Sequence, residues 1–405
     1  MSKCMIKGQD SIWNRTFSML FLLTIFDQMA FLCTRAIISK YALDLGFTQT
    51  MAGIVAGALS VAALFSRPIA GKLLTGEKNN HKSILMASVI ASLAVVGCYM
   101  LFRDFLPLTL VRVLNGITYG VSGTVELTMA SNSLPEKNMG RGIGVFGLGN
   151  IIGLAIAPSI SVYLYDHFGA DTLFLFCLCS CAVAIVIAGN IPKPVPSAPK
   201  ETATQITKRK DVSLTGFLKN TFAPEALTPA ILNFASQVAY AAISAFIVVY
   251  GGEKGWEQIG LFYTVYSVSL FIFRPLNGKL YDKKGLAPLV VFGNLSFAFG
   301  MMLIAITDSF FICMLAAVFC AYGYGGAIGT FQADAVKRTV KERRGLASGT
   351  YFVFNDLGGF LGATVAGMAA SQFGYSRMYL LFMIPLFASI VFYGTMCLKE
   401  KNASA

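Results

Sequence analysis

Long apolar runs alternate with short polar connections along this chain. The runs cover approximately residues 16–37, 48–72, 83–103, 106–132, 141–164, 171–191, 224–250, 257–280, 286–306, 309–334, 345–370 and 376–398. Each is about 20 residues or longer, the length at which a helix rising 1.5 Å per residue crosses a hydrocarbon core ~30 Å thick. Spanning strands would be about half as long. In lipid, backbone polar groups must be satisfied within the spanning element. The pattern therefore predicts an all-α membrane protein with twelve transmembrane helices. Its character changes at 192–222, where Pro192, Pro194, Pro196 and Pro199 precede the basic run Lys208-Arg209-Lys210. This reads as a cytoplasmic linker between a six-helix bundle over 1–191 and a second over 223–405.

The second bundle repeats landmarks of the first. Arg67-Pro68 matches Arg274-Pro275, Arg141-Gly142 matches Arg344-Gly345, and Phe168-Gly169 matches Phe373-Gly374, at offsets of 207, 203 and 205 residues. A nearly constant offset indicates a duplicated unit. The most distinctive repeat is a basic turn after the second run of each unit. The later copy runs from Arg274 through Gly278, Lys279, Asp282, Lys283 and Lys284 to Gly285. The earlier runs from Arg67 through Gly71, and Thr75 stands where the later copy has its aspartate.

This turn resembles the loop signature between helices 2 and 3 of the major facilitator superfamily of transporters. The resemblance implies twelve helices in two pseudo-symmetric halves, with solute held near the midplane between them. It also implies a conformational latch, here Arg67, Gly71, Gly278, Lys279 and Asp282, in which a carboxylate lies near a helix N-terminus. Thr75 would leave that latch one-sided. Gly144, Gly153 and Pro158 match in spacing the glycine-proline signature of the family's antiporter branch, although Ala157 and Ser161 replace two of its glycines. Pro158 joins the latch set on that ground.

Composition supports the membrane reading. The chain is 56% hydrophobic and 13% charged, with mean hydropathy +0.66, too few polar side chains to cover a water-facing surface of this size. A net charge of +12 would suit nucleic acid, but its placement excludes that partner. Most of the 32 Lys and Arg lie at one set of alternating span ends. Lys40, Arg103, Lys254 and Arg377 lie at the opposite ends, and Arg35 and Arg112 fall inside spans. The bias puts both termini in the cytoplasm of a multi-pass protein of the cell membrane, with Lys208 inside and Lys254 outside. The first run is too long for a signal-peptide core and carries no cleavage site, so no cleavable signal is expected. The nine cysteines lie mostly in apolar runs and read as small packing residues, and no metal or cofactor is expected.

Charges inside spans carry the candidate chemistry, since each is costly in lipid and needs a partner or water. Arg112 precedes a glycine-rich run, Asn115-Gly116…Gly120, similar to the superfamily's helix-4 signature, whose arginine is tied to proton coupling. Arg112, Gly116, Tyr119, Gly123 and Glu126 share one helical face, expected to line the central cavity. Glu126 itself is either a cytoplasmic-side cavity acid or a simple interfacial charge. Asp27 lies near mid-depth in the first span, and Arg112 is its expected partner. Arg35, two turns along the same helix, is a poor one. Asp356 lies at mid-depth with no basic residue inside any C-terminal span, and so lacks an obvious counter-ion. Asp27, Arg112, Asp356 and Glu126 are thus the proton-coupling candidates. Tyr119, Gln237, Tyr240, Tyr263 and Asn355 are the substrate-binding candidates.

The expected function is proton-coupled export of a small organic metabolite or amphiphilic drug-like solute by a monomeric transporter. Three acids against one Arg112 favour a cationic or neutral solute. The alternatives are a proton symporter for uptake and a non-transporting solute sensor. No nucleophile–base pair, phosphate loop or metal motif points to an enzyme, and His81 and His167 sit in connections.

Overall fold

The computed structural model describes residues 12–74, 81–135, 138–192, 223–340 and 343–404. Linker residues 193–222, Lys208 among them, and Thr75 lie outside this set. Eight helical stretches are long and apolar enough to cross a membrane. Two of them, Arg141–Asn190 and Arg344–Leu398, run to 50 and 55 residues, more than twice the length one crossing needs. Each turns back on itself at a glycine. The helix Met139–Asn190 breaks at Gly169 (φ 85°) into α5 and α6, and Arg344–Leu381 breaks at Gly374 (φ 77°) into α11 and the start of α12. Only glycine enters this region without strain. These are the two glycines paired by the internal repeat.

The other helices are α1 (Arg15–Asp44), α2 (Gln49–Leu74), α3 (His81–Leu101), α4 (Phe105–Ser133), α7 (Leu227–Glu253) and α8 (Leu261–Lys284). Then come α9 (Leu289–Ile306) and α10 (Phe310–Lys337), while α12 continues through Ile384–Ser404. A π turn opens α9 at Leu289–Gly293, and another interrupts α10 at Ala321–Gly325. No described residue forms a strand. Outward faces are apolar, with Phe65, Leu106, Leu110, Phe311 and Val391 more than half exposed. That suits lipid rather than water.

The basic turns are not turns. Arg67 to Leu74 completes α2 and Arg274 to Lys284 completes α8, each helix carrying its proline internally. The α8 helix stops only at Gly285 (φ 70°), after Lys283 and Lys284 in its last turn. Cations are stabilised there by the carboxyl end of the helix dipole, so the charged motif extends the helix instead of ending it.

The connection between α6 and α7 defines one end of the bundle, the linker end; the opposite end is the far end. The two helix sets meet closely near the far end. On α2 and α11, Thr50 and Ser371 hydroxyls lie 3.3 Å apart. A Cβ on Gly53 would come within 2.5 Å of the Ala363 carbonyl, and one on Gly367 within 2.5 Å of the Gln49 carbonyl. Glycine is what permits this approach, as small residues do wherever membrane helices touch. On α5 and α8, Ser159 and Thr264 hydroxyls lie 3.0 Å apart, and Gly260 packs on the backbone of Pro158 and Ser159. Exposed ion pairs, Lys40 with Asp166 and Lys254 with Asp308, also lie at this end. The hydrogen bond to Asp308 pushes the Lys254 ammonium pKa up.

Candidate functional site

The deepest polar cluster lies inside the first six helices. Asp27 of α1 is 5% exposed and accepts a 2.9 Å hydrogen bond from Ser122 Oγ of α4. One turn along α4, Glu126 is 1% exposed, and its Oε2 accepts from Thr24 Oγ1 at 2.6 Å. Glu126 Oε1 is buried and receives no hydrogen bond, while the Asp27 carboxyl stands near enough to interact with it. Glu126 is therefore no interfacial charge. An ionised carboxylate only accepts, and a protonated one also donates. One proton held between these two acids would complete their hydrogen bonding.

Arg112 does not pair with Asp27. The guanidinium, 1% exposed, donates through Nη1 to Tyr99 Oη at 3.3 Å and to Asn115 Oδ1 at 3.2 Å, and its Nε has no acceptor. Depth along the helices explains the misplacement. Measured from the linker end, Asp27 lies about 18 Å along α1 and Glu126 about 10 Å along α4, whereas Arg112 lies about 31 Å along it. Counting from a shared end would have paired the two acids.

Two cavities are linked by the Arg112–Asn115 hydrogen bond, Arg112 lining one and Asn115 the other. The central one lies among α1, α2, α4, α7 and α11 and is lined by Arg35, Arg112, Ser60, Ser244 and small apolar residues. The other lies within the first six helices and is lined by Asp27, Ser92, Asn115, Thr118 and Tyr119. Asn115 thus joins the arginine cavity to the acid cluster. The stripe expected on α4 is split. Arg112 reaches the central cavity and Tyr119 the inner one, but Gly116 packs on α2, where an added Cβ would come within 2.2 Å of the Leu59 carbonyl.

Asp356 has a counter-ion from the other helix set. Its Oδ2 lies 3.2 Å from Arg67 Nε of α2, and its Oδ1 accepts from Asn355 Nδ2 at 3.4 Å. The Arg67 guanidinium lies between the Tyr119 and Phe352 rings, 5.3 and 5.1 Å from their centroids. The expectation of an unpaired Asp356 considered only C-terminal spans, and the partner comes from across the interface. At the offsets of 203 to 205 that bracket this region, the repeat places Gly153, Ile152 or Ile151 of α5 where Asp356 stands in α11, and none is an acid. Arg274, the counterpart of Arg67, therefore meets no matching acid on α5, and the ionic link is one-sided.

The expected substrate-binding residues do not share one open pocket. Gln237 contacts the Tyr324 hydroxyl, Tyr240 stacks on Tyr324 with centroids 4.2 Å apart, Tyr263 donates to the Ser244 carbonyl at 3.2 Å, and Asn355 accepts from Asn233. Tyr119 stacks on Phe31 at 3.8 Å. The latch set scatters too. Arg67 reaches Asp356 and Pro158 meets the start of α8, but added Cβ atoms on Gly71 and Gly278 would touch nothing, and Lys279 and Asp282 are exposed. At the linker end of α8 the polar contact is instead Tyr281 Oη to Asp334 Oδ1 at 2.8 Å, with Arg338 on the other oxygen. Asp334 is not among the sequence candidates, and Arg35 appears there only as an intramembrane charge and a poor partner for Asp27. Arg35 lies about 13 Å from the far end of α1, close to the depth of Arg112, and that shared depth was the available signal.

The family model described as Major Facilitator Superfamily matches residues 20–363 and 230–403. The staphylopine export protein of Staphylococcus aureus is 25% identical over 358 residues, covering 84% of this chain and 85% of that protein. The multi-drug resistance efflux pump PmrA of Streptococcus pneumoniae is 25% identical over 347 residues, covering 83% and 84%. A crystal structure of a mutant of the nucleoside transporter NupG superposes with a TM-score of 0.76 at 13% identity, covering 93% of this chain and 99% of that one.

Proposed function

Because the chain belongs to the Major Facilitator Superfamily, and so is a multi-pass membrane transporter of small solutes, we propose that it exports a small organic solute in exchange for protons. The observation that carries proton coupling is the buried pair Asp27 and Glu126, with one carboxyl oxygen left without a donor. A proton taken up there changes the charge of a site one residue, Asn115, removed from the central cavity. Solute and proton can then influence one another through Arg112. Asp356 takes part through Arg67: protonating it would release the ionic link between α2 and α11.

The residues 1–191 and 223–405 move as units in this reading, with 192–222 tethering them. The charge bias supports a far end that faces outside the cell. The close glycine contacts there then support a state shut to the outside, one of the two states that alternating access needs. The names of the staphylopine exporter and PmrA favour export over uptake.

Profiling the growth medium of cells that overproduce the wild-type protein or Glu126→Gln tests this reading. At least one organic solute should accumulate outside to a higher level with the wild type than with Glu126→Gln, and a protonophore should abolish the difference. Depletion of that solute from the medium would establish uptake instead.

A further inference from the structure

The central cavity contains two arginines and no acid among the described residues that line it. Every acid expected to set its charge is engaged elsewhere: Asp27 with Ser122, Glu126 with Thr24, and Asp356 with Arg67. Arg112 is almost wholly buried, meets only the neutral acceptors Tyr99 and Asn115, and keeps an Nε without a partner. Arg35 makes one hydrogen bond, to Ser244 Oγ at 3.2 Å, and lies 5.9 Å over the Tyr240 ring. Each guanidinium carries five N–H donors in a planar fork matched to a carboxylate or phosphate. The three side-chain hydrogen bonds of the two groups leave most of those donors free. Two cations at membrane depth, with no carboxylate between them, are a costly arrangement unless an anion joins them.

We propose that the solute is a small organic anion whose carboxylate or phosphate group is held between Arg35 and Arg112. This rests on the transport reading and reverses the cationic preference drawn from counting acids. Ser60 and Ser244 add hydroxyl donors around the anion, and the remaining wall is small and apolar, which suits a compact organic body. Arg35 and Ser244 come from opposite helix sets, so an anion seated there would bridge them.

Thermal unfolding of the purified full-length protein tests this, with citrate, inorganic phosphate and tetraphenylphosphonium as probes. Citrate or phosphate should raise the unfolding temperature in a saturable way, and which of them binds better identifies the oxyanion. Tetraphenylphosphonium should not. Arg35→Gln should weaken that binding about tenfold, the scale of one lost charge-assisted hydrogen bond. Arg112→Lys, which keeps the buried charge but not the fork, should weaken it as well. Arg103→Gln, at an exposed arginine of the far end, should leave it unchanged. Stabilisation by neither anion, stabilisation by tetraphenylphosphonium alone, or equal anion binding by wild type and Arg35→Gln would overturn the proposal. None of those results touches proton-driven export, which the medium profiles decide separately.

Discussion

Arg67 Nε of α2 and Asp356 Oδ2 of α11 lie 3.2 Å apart across the interface between the two helix sets. It is a partly buried pair, the arginine side chain 23% exposed and the aspartate 7%. Removing one partner of such a pair leaves the other charge stranded, which commonly costs more than removing both. Arg67→Gln and Asp356→Asn should each lower the unfolding temperature of the purified protein. The double variant should fall short of the summed losses by about 0.5–3 kcal/mol, the range for residues in contact. Simple addition of the two losses would show that the contact contributes no coupling.

The acids inside the first six helices should behave as one unit. Asp27→Asn and Glu126→Gln should each abolish proton-driven accumulation while leaving downhill exchange measurable, and the double variant should be no worse than either. Asp27→Asn and Arg112→Lys should instead combine within about 0.5 kcal/mol of additivity in thermal stability, because no contact joins them. A strong interaction between Asp27 and Arg112 would restore the pairing that the structure replaces.

At the far end the close approach of α2 and α11 yields a direct test. The Thr50 and Ser371 hydroxyls are 3.3 Å apart, so cysteines at both positions should form a disulfide under mild oxidation and arrest transport reversibly. Gly367→Val should prevent that cross-link. Its branched side chain must displace the Gln49 carbonyl, which an added Cβ alone would approach to 2.5 Å. Efficient cross-linking in the Gly367→Val background would show that the seam does not depend on glycine.

What the sequence made legible was set by local chemistry. Gly169 and Gly374 fall at matching places in the repeat, and both break their helices at positive φ. Run length and charge bias were enough to place the chain in a membrane. The functional pairings were less legible because they depend on how separate helices dock. Asp356 seemed isolated because its partner comes from α2 of the other helix set. Arg35 seemed idle because its role depends on which acids are already engaged. Asp27 and Glu126 each stand out in the sequence, but Asp27 reads as a partner of Arg112 and Glu126 as a lone acid until depth along α1 and α4 is counted from the same end.

The central claim is proton coupling at the Asp27 and Glu126 pair; it requires protonation of the pair to bias which side is open, and the Thr50–Ser371 distance tests this most directly. Spin labels at these two positions in nanodiscs report it by pulsed electron resonance, without any solute. Proton exchange at the pair predicts that the short, closed population grows as the pH is lowered, because the charge-neutral pair is buried at lower cost. Carrying Asp27→Asn and Glu126→Gln together should fix the closed fraction at its low-pH value at every pH. A distance distribution that ignores pH in the wild type, or that shifts equally in the double variant, would contradict coupling at this pair.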